Sequence, residues 1–395
     1  MSDPRPILIA GGGISGLAAA LALAATGRSS RILERRVTFS ESGAGIQLSP
    51  NAVHVLRHLG LADRLAPHVG TPAAIVVRDG ATGSVLQRLP LDPWLEARHG
   101  APYWVAHRRD LQAALLAACR DHPLIDIVTS FDVDRVVETA AGIEAVGIDG
   151  ARQTGVLLIG ADGLHSRLRT IVAPGQAAIF SGRTAARTVI PAGAAPSGLE
   201  PDSSGVWLAT GAHVVHYPVR AGSEIAVVVI RQESWQPAAG AGWSEPVAAD
   251  AIAASLNGFA SAITTFLAQG RDWRRWALFD APPLPRWSAS GLTLIGDAAH
   301  PALPFLAQGG AMGLEDAVSL AAALVRHGDI ATALRAHEVA RRPRTARVAT
   351  AARRNGRIFH LGGLAARARN VTLRNISGER VMASYDWLYG WRPPS

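Results

Sequence analysis

The stretch Pro6–Gly16, PILIAGGGISG, places an apolar run directly before three glycines and the start of an Ala/Leu-rich segment. Five apolar residues of this kind make a short buried parallel strand. The Ala/Leu-rich pattern then predicts a helix to Thr26, with Gly27 at the position just past its end. Gly11 permits the tight turn and Gly13 lets a pyrophosphate approach the backbone. Gly16 allows the helix to pack against the strand, and Ser15 lies in the same turn among the candidate cofactor contacts. The helix start adds unpaired N–H groups and a positive dipole end. A second strand, Ser30–Leu33, ends at Glu34, eighteen residues past Gly16, where a carboxylate accepts from the ribose hydroxyls of an ADP moiety. Strand, turn, helix and acid are in register for a dinucleotide. They leave open whether it is FAD or NAD.

Two further apolar strands follow the same plan. Val156–Gly160 runs into Ala161-Asp162-Gly163, and Leu292–Ile295 runs into Gly296-Asp297, followed by a helical pattern from Gly310 to Arg326. Between Phe180 and Pro285 short β-rich pieces alternate with Gly/Pro turns, which reads as a second, antiparallel lobe. From Ala331 the chain is helical and Arg-rich, ending in the aromatic tail YDWLYGW. The predicted fold class is α/β: a Rossmann-like dinucleotide-binding domain with an inserted mixed β-sheet substrate domain and a helical C-terminal segment. The boundaries are 1–179 and 286–330 for the two parts of the first domain, with a substrate-lobe excursion near 70–105. The sheet domain spans 180–285, and the C-terminal segment spans 331–395.

A chain of 395 residues, 48% hydrophobic and 18% charged, buries a large core without staples. Its single cysteine, Cys119, excludes a disulfide framework and any Cys-based metal cluster, and it reads as a core filler. The net charge of +8 comes entirely from arginine, since the chain has no lysine. The arginines are scattered, so the balance favours acidic small ligands over a nucleic-acid face. There is no secretory-signal pattern, and the longest apolar stretch, Ile14–Thr26, falls short of the about 20 residues a membrane span needs. The expectation is a cytoplasmic protein, monomer or homodimer, with neither membrane nor nucleic acid as partner. His300 reads as structural, because no second ligand stands at metal spacing. Asp121-His122 and the remaining histidines read as surface residues.

Ala161-Asp162-Gly163-x-x-Ser166-x-x-Arg169 and Gly296-Asp297-Ala298-Ala299-His300-Pro301, with Pro304 and Gly309 downstream, resemble the signatures of the class A flavoprotein aromatic hydroxylases. The similarity is to the salicylate, 3-hydroxybenzoate and 6-hydroxynicotinate branch. It is carried also by GAGIQLSPNAV at Gly43–Val53, HRRDL at His107–Leu111, the His300–Ala317 stretch and the tail. The resemblance implies FAD as cofactor, with Asp297 on a ribityl hydroxyl and Asp162 near the pyrophosphate and NAD(P)H. Arg108 would reach the FAD phosphates, with Arg35 following Glu34 near the adenosine and Gln47 near the flavin. Pro304 would open a segment leading into a helix, and Gly309, Gly310 and Ala311 at that helix start would turn backbone N–H groups and a positive end toward the flavin's pyrimidine edge. Two departures stand out. The Asn that many relatives carry in the loop after the Gly-Asp pair is absent from Ala307–Ala311, and Gln47 replaces the histidine of the nicotinate branch. No second GxGxxG lies between a strand and a helix, so NAD(P)H is expected as a transient co-substrate.

On the substrate side, GAHVVHYPV (Gly211–Val219) read as a strand puts His213, Val215 and Tyr217 on one face and His216 on the other. A phenol attacks better when ionised, so His213 with Tyr217 forms the candidate catalytic pair, as in the resembling branch. Phe305 and Leu306 are candidate apolar walls. The implied activity is hydroxylation of a small aromatic acid or phenol with NAD(P)H and O2, through a C4a-hydroperoxyflavin. The alternatives are a heterocyclic or larger polyphenolic or polyketide substrate, a flavin reductase or oxidase without oxygen transfer, and a non-catalytic FAD-binding protein.

Overall fold

The computed structural model describes residues 5–39, 45–140, 142–196, 198–236 and 244–394; Gly43 and Ala44 of the quoted motif lie outside them. In chain order, β1 (Ile7–Ala10), α1 (Ile14–Ala25) and β2 (Ser30–Glu34) are followed by β3 (Gly45–Leu48) and α2 (Pro50–His58). Next come β4 (Ala74–Asp79), β5 (Val85–Pro90), β6 (Trp104–His107), α3 (Arg108–Arg120) and β7 (Ile125–Thr129). The middle of the chain holds β8 (Leu157–Gly160), α4 (Arg167–Val172), β9 (Ile179–Pro191), β10 (Ser203–Ala209), β11 (Ala212–Val219) and β12 (Glu224–Gln232). The strands β13 (Ser244–Pro246), β14 (Arg274–Asp280), β15 (Ser288–Ala289) and β16 (Leu292–Leu294) complete the two large sheets. The chain then turns helical in α5 (Gly309–Arg326), α6 (Ile330–Phe359), α7 (Gly363–Asn375), α8 (Gly378–Ala383) and α9 (Asp386–Tyr389).

The first sheet has the order β15-β16-β8-β1-β2-β7, and all its pairings but the β15 edge are parallel. The chain leaves β1 toward β2 and later returns on the other side as β8. That reversal opens a crevice at the carboxyl ends of the strands, where ligands bind in such sheets. The glycine turn, Glu34, Ala161–Gly163 and Gly296–Asp297 all lie along this edge. β1 and β8 are buried throughout, and α1 and α5 pack together over the sheet. Twelve of the eighteen residues of α5 are buried, as its near-continuous apolar pattern requires.

The second large sheet has the order β13-β14-β9-β12-β11-β10-β4-β5. It is mixed rather than purely antiparallel, because β4 joins β10 in parallel. Its edge on that side is therefore built from residues 74–90. A smaller three-stranded sheet carries β3 and β6 as an antiparallel pair. The aromatic tail packs on the chain's own core: Leu388 and Tyr389 are buried within the main cluster, with Tyr385, Trp387 and Trp391 against it. Cys119 is fully buried. Among the described residues, no helix is long and apolar enough to cross a membrane.

Candidate active site

One cavity of about 790 Å³ runs from the strand-end crevice to a face of the eight-stranded sheet. On the crevice side it is lined by Gly13, Ile14, Ser15, Ala161, Gly163, Asp297, Pro304, Gly309 and Gly310, with Arg108 beside them. Gly11 has φ +108°, and a Cβ there would strike the carbonyl of Ala161, so the turn between β1 and α1 requires glycine. Gly13 differs: a Cβ built on it meets nothing within 4 Å, and one on Gly309 meets only Asp297 Oδ1 at 3.9 Å. The N-termini of α1 and α5 thus face open room, and their free N–H groups and dipole ends favour an anionic or electron-rich ligand there. Arg108 is delivered by its helix start, where the N-cap His107 accepts from Arg109 N at 3.3 Å.

Other candidate residues take supporting places. Both carboxylate oxygens of Glu34 accept backbone N–H groups, from Gly12 at 2.8 Å and Arg36 at 2.9 Å. Two of about four acceptor positions therefore remain on that carboxylate. Arg35 is exposed and outside the cavity. The Asp162 carboxylate accepts from Leu168 N at 3.3 Å in the first turn of α4, whose N-cap is Ser166; its other oxygen has no hydrogen-bond partner among the described residues, and burial pushes its pKa up. Ala311 is fully buried beneath the cavity wall rather than lining it. Gln47 does line the cavity; Tyr103 donates its hydroxyl to Gln47 Oε1 at 2.5 Å, leaving the amide nitrogen for the cavity. Arg169 of the second motif ties the two glycine-containing loops together. Its guanidinium donates to Ala298 O at 2.8 Å, Leu164 O at 3.2 Å and Asp297 O.

Behind the crevice wall lies a buried ion network that the sequence reading missed. Arg341 of α6 donates to Glu315 at 2.5 Å and Asp316 at 2.7 Å, with all three side chains essentially inaccessible. Arg344 grips both oxygens of Glu315, at 2.6 and 2.7 Å, and also the carbonyls of Trp387 and Leu388, each at 2.8 Å. Asn51 donates to Glu315 and to Gln308, and Gln308 donates to Ser49. Burial alone would raise the Asp316 pKa, but His300 and Arg341 beside it hold it well below the carboxylate range. His300 bonds this carboxylate, and Asp316 also accepts Gly296 N at 2.9 Å, so the network fixes the loop that carries Asp297.

The sheet side of the cavity is made of side chains. One register row crosses six strands as Arg187, Val228, Val215, Val206, Val77 and Gln87, all lining the cavity. His213 and Tyr217 flank Val215 on the same face, while His216 is buried on the opposite face, as alternation requires. Burial pushes His213 well below its usual value, helped by His360 and Arg183, so it is a neutral imidazole at neutral pH. Burial pushes Tyr217 up to about 12 against the opposing pull of Arg187, so its hydroxyl keeps its proton. Phe305 and Leu306 form apolar wall beneath them.

Arg187 was not among the sequence candidates. Its one signal was a cation inside the apolar β run TAARTVI. Its guanidinium lies over the Trp276 ring at 5.3 Å, and Nε has no hydrogen-bond partner among the described residues. The expectation that the remaining histidines sit on the surface fails for His99, His107, His337 and His360, which are buried. His337 and His360 belong to an Arg-rich segment whose composition suggests solvent, yet both sit on its inward side.

Two helix N-termini over a parallel-sheet crevice, opening onto an apolar sheet face, define a dinucleotide-binding architecture with an apolar chamber beside the cofactor site. The chain belongs to the family described as FAD binding domain, whose model matches residues 5–354. It is 38% identical to 3-hydroxybenzoate 6-hydroxylase 1 of Aquipseudomonas alcaligenes over 387 residues, 97% of each chain. It is 34% identical over 391 residues to 3-hydroxybenzoate 6-hydroxylase of Polaromonas naphthalenivorans, covering 98% of this chain and 96% of that one. Among solved structures, Klebsiella pneumoniae HpxO complexed with FAD and uric acid superposes with a TM-score of 0.85 at 27% identity, over 97% and 96% of the two chains. The protein is an FAD-dependent enzyme of the hydroxylase class.

Proposed function

We propose that this enzyme hydroxylates a small aromatic acid bearing a ring hydroxyl, using O2 and NAD(P)H, in the cytoplasm. The observation that carries the reading is the continuity of one cavity. Its crevice end suits a flavin, and its sheet end is apolar except for Arg187, His213, Tyr217 and Gln87. FAD fits the crevice end because Gly13 and Gly309 leave room in front of two helix N-termini, with Arg108 and Asp297 at the sides. When bound, FAD supplies hydride acceptance from NAD(P)H and activation of O2.

The chain's own residues then have separate tasks. Neutral His213 accepts the substrate hydroxyl proton, making the ring more electron-rich. Tyr217 donates to the resulting oxyanion. Arg187, an arginine among valines, pairs with the carboxylate, which repays part of the cost of holding a cation there. In the sheet lattice it stands two strands from Val215, about 10 Å away, so a single ring can reach both. Val206, Leu208, Val215 and Ile230 exclude water.

The test is NADH and NADPH oxidation by the FAD-loaded protein across hydroxybenzoates, hydroxynicotinates and simple phenols, with peroxide assayed in parallel. A hydroxybenzoate that accelerates oxidation many-fold with little peroxide supports the reading. Stoichiometric peroxide with every compound points to an oxidase instead. A second reading, a larger polyphenolic substrate, draws support from a branch of the cavity that reaches Leu373, Ile376 and Met382 between the C-terminal helices. Stimulation confined to multi-ring compounds would favour it.

A further inference from the structure

His213 does not act from an isolated position. Its Nδ1 lies 2.8 Å from Nε2 of His360, a residue 147 positions away that ends α6. The contact is held from both sides: the carbonyl of His360 accepts from Gly211 N at 3.2 Å, just before β11 begins. The rings of Phe305 and Phe359 enclose the pair, with centroids 5.5 and 5.3 Å from that of His213. Arg183 of β9 and Arg369 of α7 face it, and Tyr217 stands further along β11. With Nδ1 engaged, Nε2 is the His213 nitrogen left for the cavity. His360 Nδ1 is buried and has no hydrogen-bond partner among the described residues.

We propose that His360 is the second member of a two-imidazole proton relay, receiving the Nδ1 proton of His213 as His213 Nε2 takes the proton of a ring hydroxyl. The proposal rests on the reading of His213 as the base. The substrate O–H bond breaks and an Nε2–H bond forms on His213; the His213 Nδ1–H bond breaks and an Nε2–H bond forms on His360. The products are a phenolate, a neutral His213 and a cationic His360, with no electrons transferred. Burial pushes His213 well below its usual value and His360 down to about 4, so both rings start neutral, and the relay requires the His213 tautomer that carries its proton on Nδ1 and donates it to His360 Nε2. Arg183 and Arg369 oppose charge on the pair in the resting protein. The relay therefore loads only when an oxyanion forms beside it and compensates the new cation. His360 touches no substrate; it is a positioning and relay residue.

The test follows ionisation of bound 3-hydroxybenzoate by ultraviolet difference absorption. It uses the FAD-loaded protein without NAD(P)H, titrated from acid to alkaline pH, in wild type, His360→Gln, His360→Phe and His213→Gln. The relay predicts that both His360 variants raise the apparent pKa of the bound phenol by about one unit or more, tenfold less phenolate at fixed pH. The acid limb of substrate-stimulated oxidation should move by the same amount. Gln can hold the hydrogen bond but cannot pass a proton on. A wild-type titration in His360→Gln therefore overturns the relay, whatever His360→Phe does. If His213→Gln also titrates like wild type, the His213 reading falls first and the relay with it. No difference spectrum in wild type overturns both. Should the His360 variants fail to fold, rates in mixed H2O and D2O decide on the wild-type enzyme: a curved, two-proton dependence supports the relay and a linear one overturns it.

Discussion

The crevice wall of the cavity presents main-chain N–H groups, whereas the sheet wall presents side chains. The first is shaped by glycines and helix ends, which offer the same surface whatever the neighbouring side chains are. Its stability comes from behind, from Arg341, Arg344, Glu315 and Asp316, none of which lines the cavity. The second is a row of valines on which a few polar groups sit at set register positions, so a single substitution there alters chemistry without altering fold. Such a division lets one scaffold keep its cofactor while its substrate changes.

Four experiments would break or sharpen that contrast. Replacing Arg341 with Met leaves two buried carboxylates short of a counter-charge, a change that costs about 3–5 kcal/mol. Denaturant unfolding should show that loss; a cost below about 1 kcal/mol would mean the network does not support the wall. On the sheet side, His213→Phe should lower substrate-stimulated NAD(P)H oxidation by about 10²-fold or more, the range for removing a general base. FAD absorbance and melting temperature should hardly move, and a parallel loss of FAD would show that the two walls are not separable.

Within the crevice wall, two glycines should part company. Gly11→Ala forces a side chain onto φ +108° and against Ala161, and should destabilise by about 1–3 kcal/mol. Gly13→Leu projects into open room, so it should keep stability within about 0.5 kcal/mol while weakening FAD binding, read by fluorescence titration.

The last effect is a pH dependence. His216, His337 and His360 are each held down to about 4 by burial, so below 6.5 the unfolded chain binds protons that the folded one refuses. Stability is full above 6.5 and falls as pH drops toward 4, by at most about 1.4 kcal/mol per pH unit for each histidine. Asp316, held low, adds its own loss only once pH falls below the ordinary carboxylate value. Thermal unfolding that is flat between pH 6.5 and 5 would contradict the burial of these rings.

The same contrast explains what could be read from the chain. Gly11, Gly13 and Gly16 sit in a turn whose geometry is set within a few residues, so spacing pointed to them, whereas Asp297 and Gly309 were read from the resemblance of their motif to a known family. The alternation of His213 and Tyr217 against His216 was equally local. His360 was invisible because its meaning depends on a partner 147 residues away. Arg187 was hidden because only strand register, fixed by β12 and β11, aims it at the cavity. Asp162 was read as a ligand contact from its motif; one of its oxygens accepts Leu168 N at the start of α4, and the other is buried with no hydrogen-bond partner among the described residues.

Arg344 joins Glu315 of α5 to the carbonyls of Trp387 and Leu388 near the end of the chain. During synthesis the glycine turns emerge first, but the charges that let Glu315 and Asp316 be buried emerge later, and the tail last of all. A nascent chain halted after α5 would hold two carboxylates it cannot desolvate. A substitution at Trp387 or Leu388 that shifts those carbonyls would therefore be felt at the crevice wall, in a different part of the molecule.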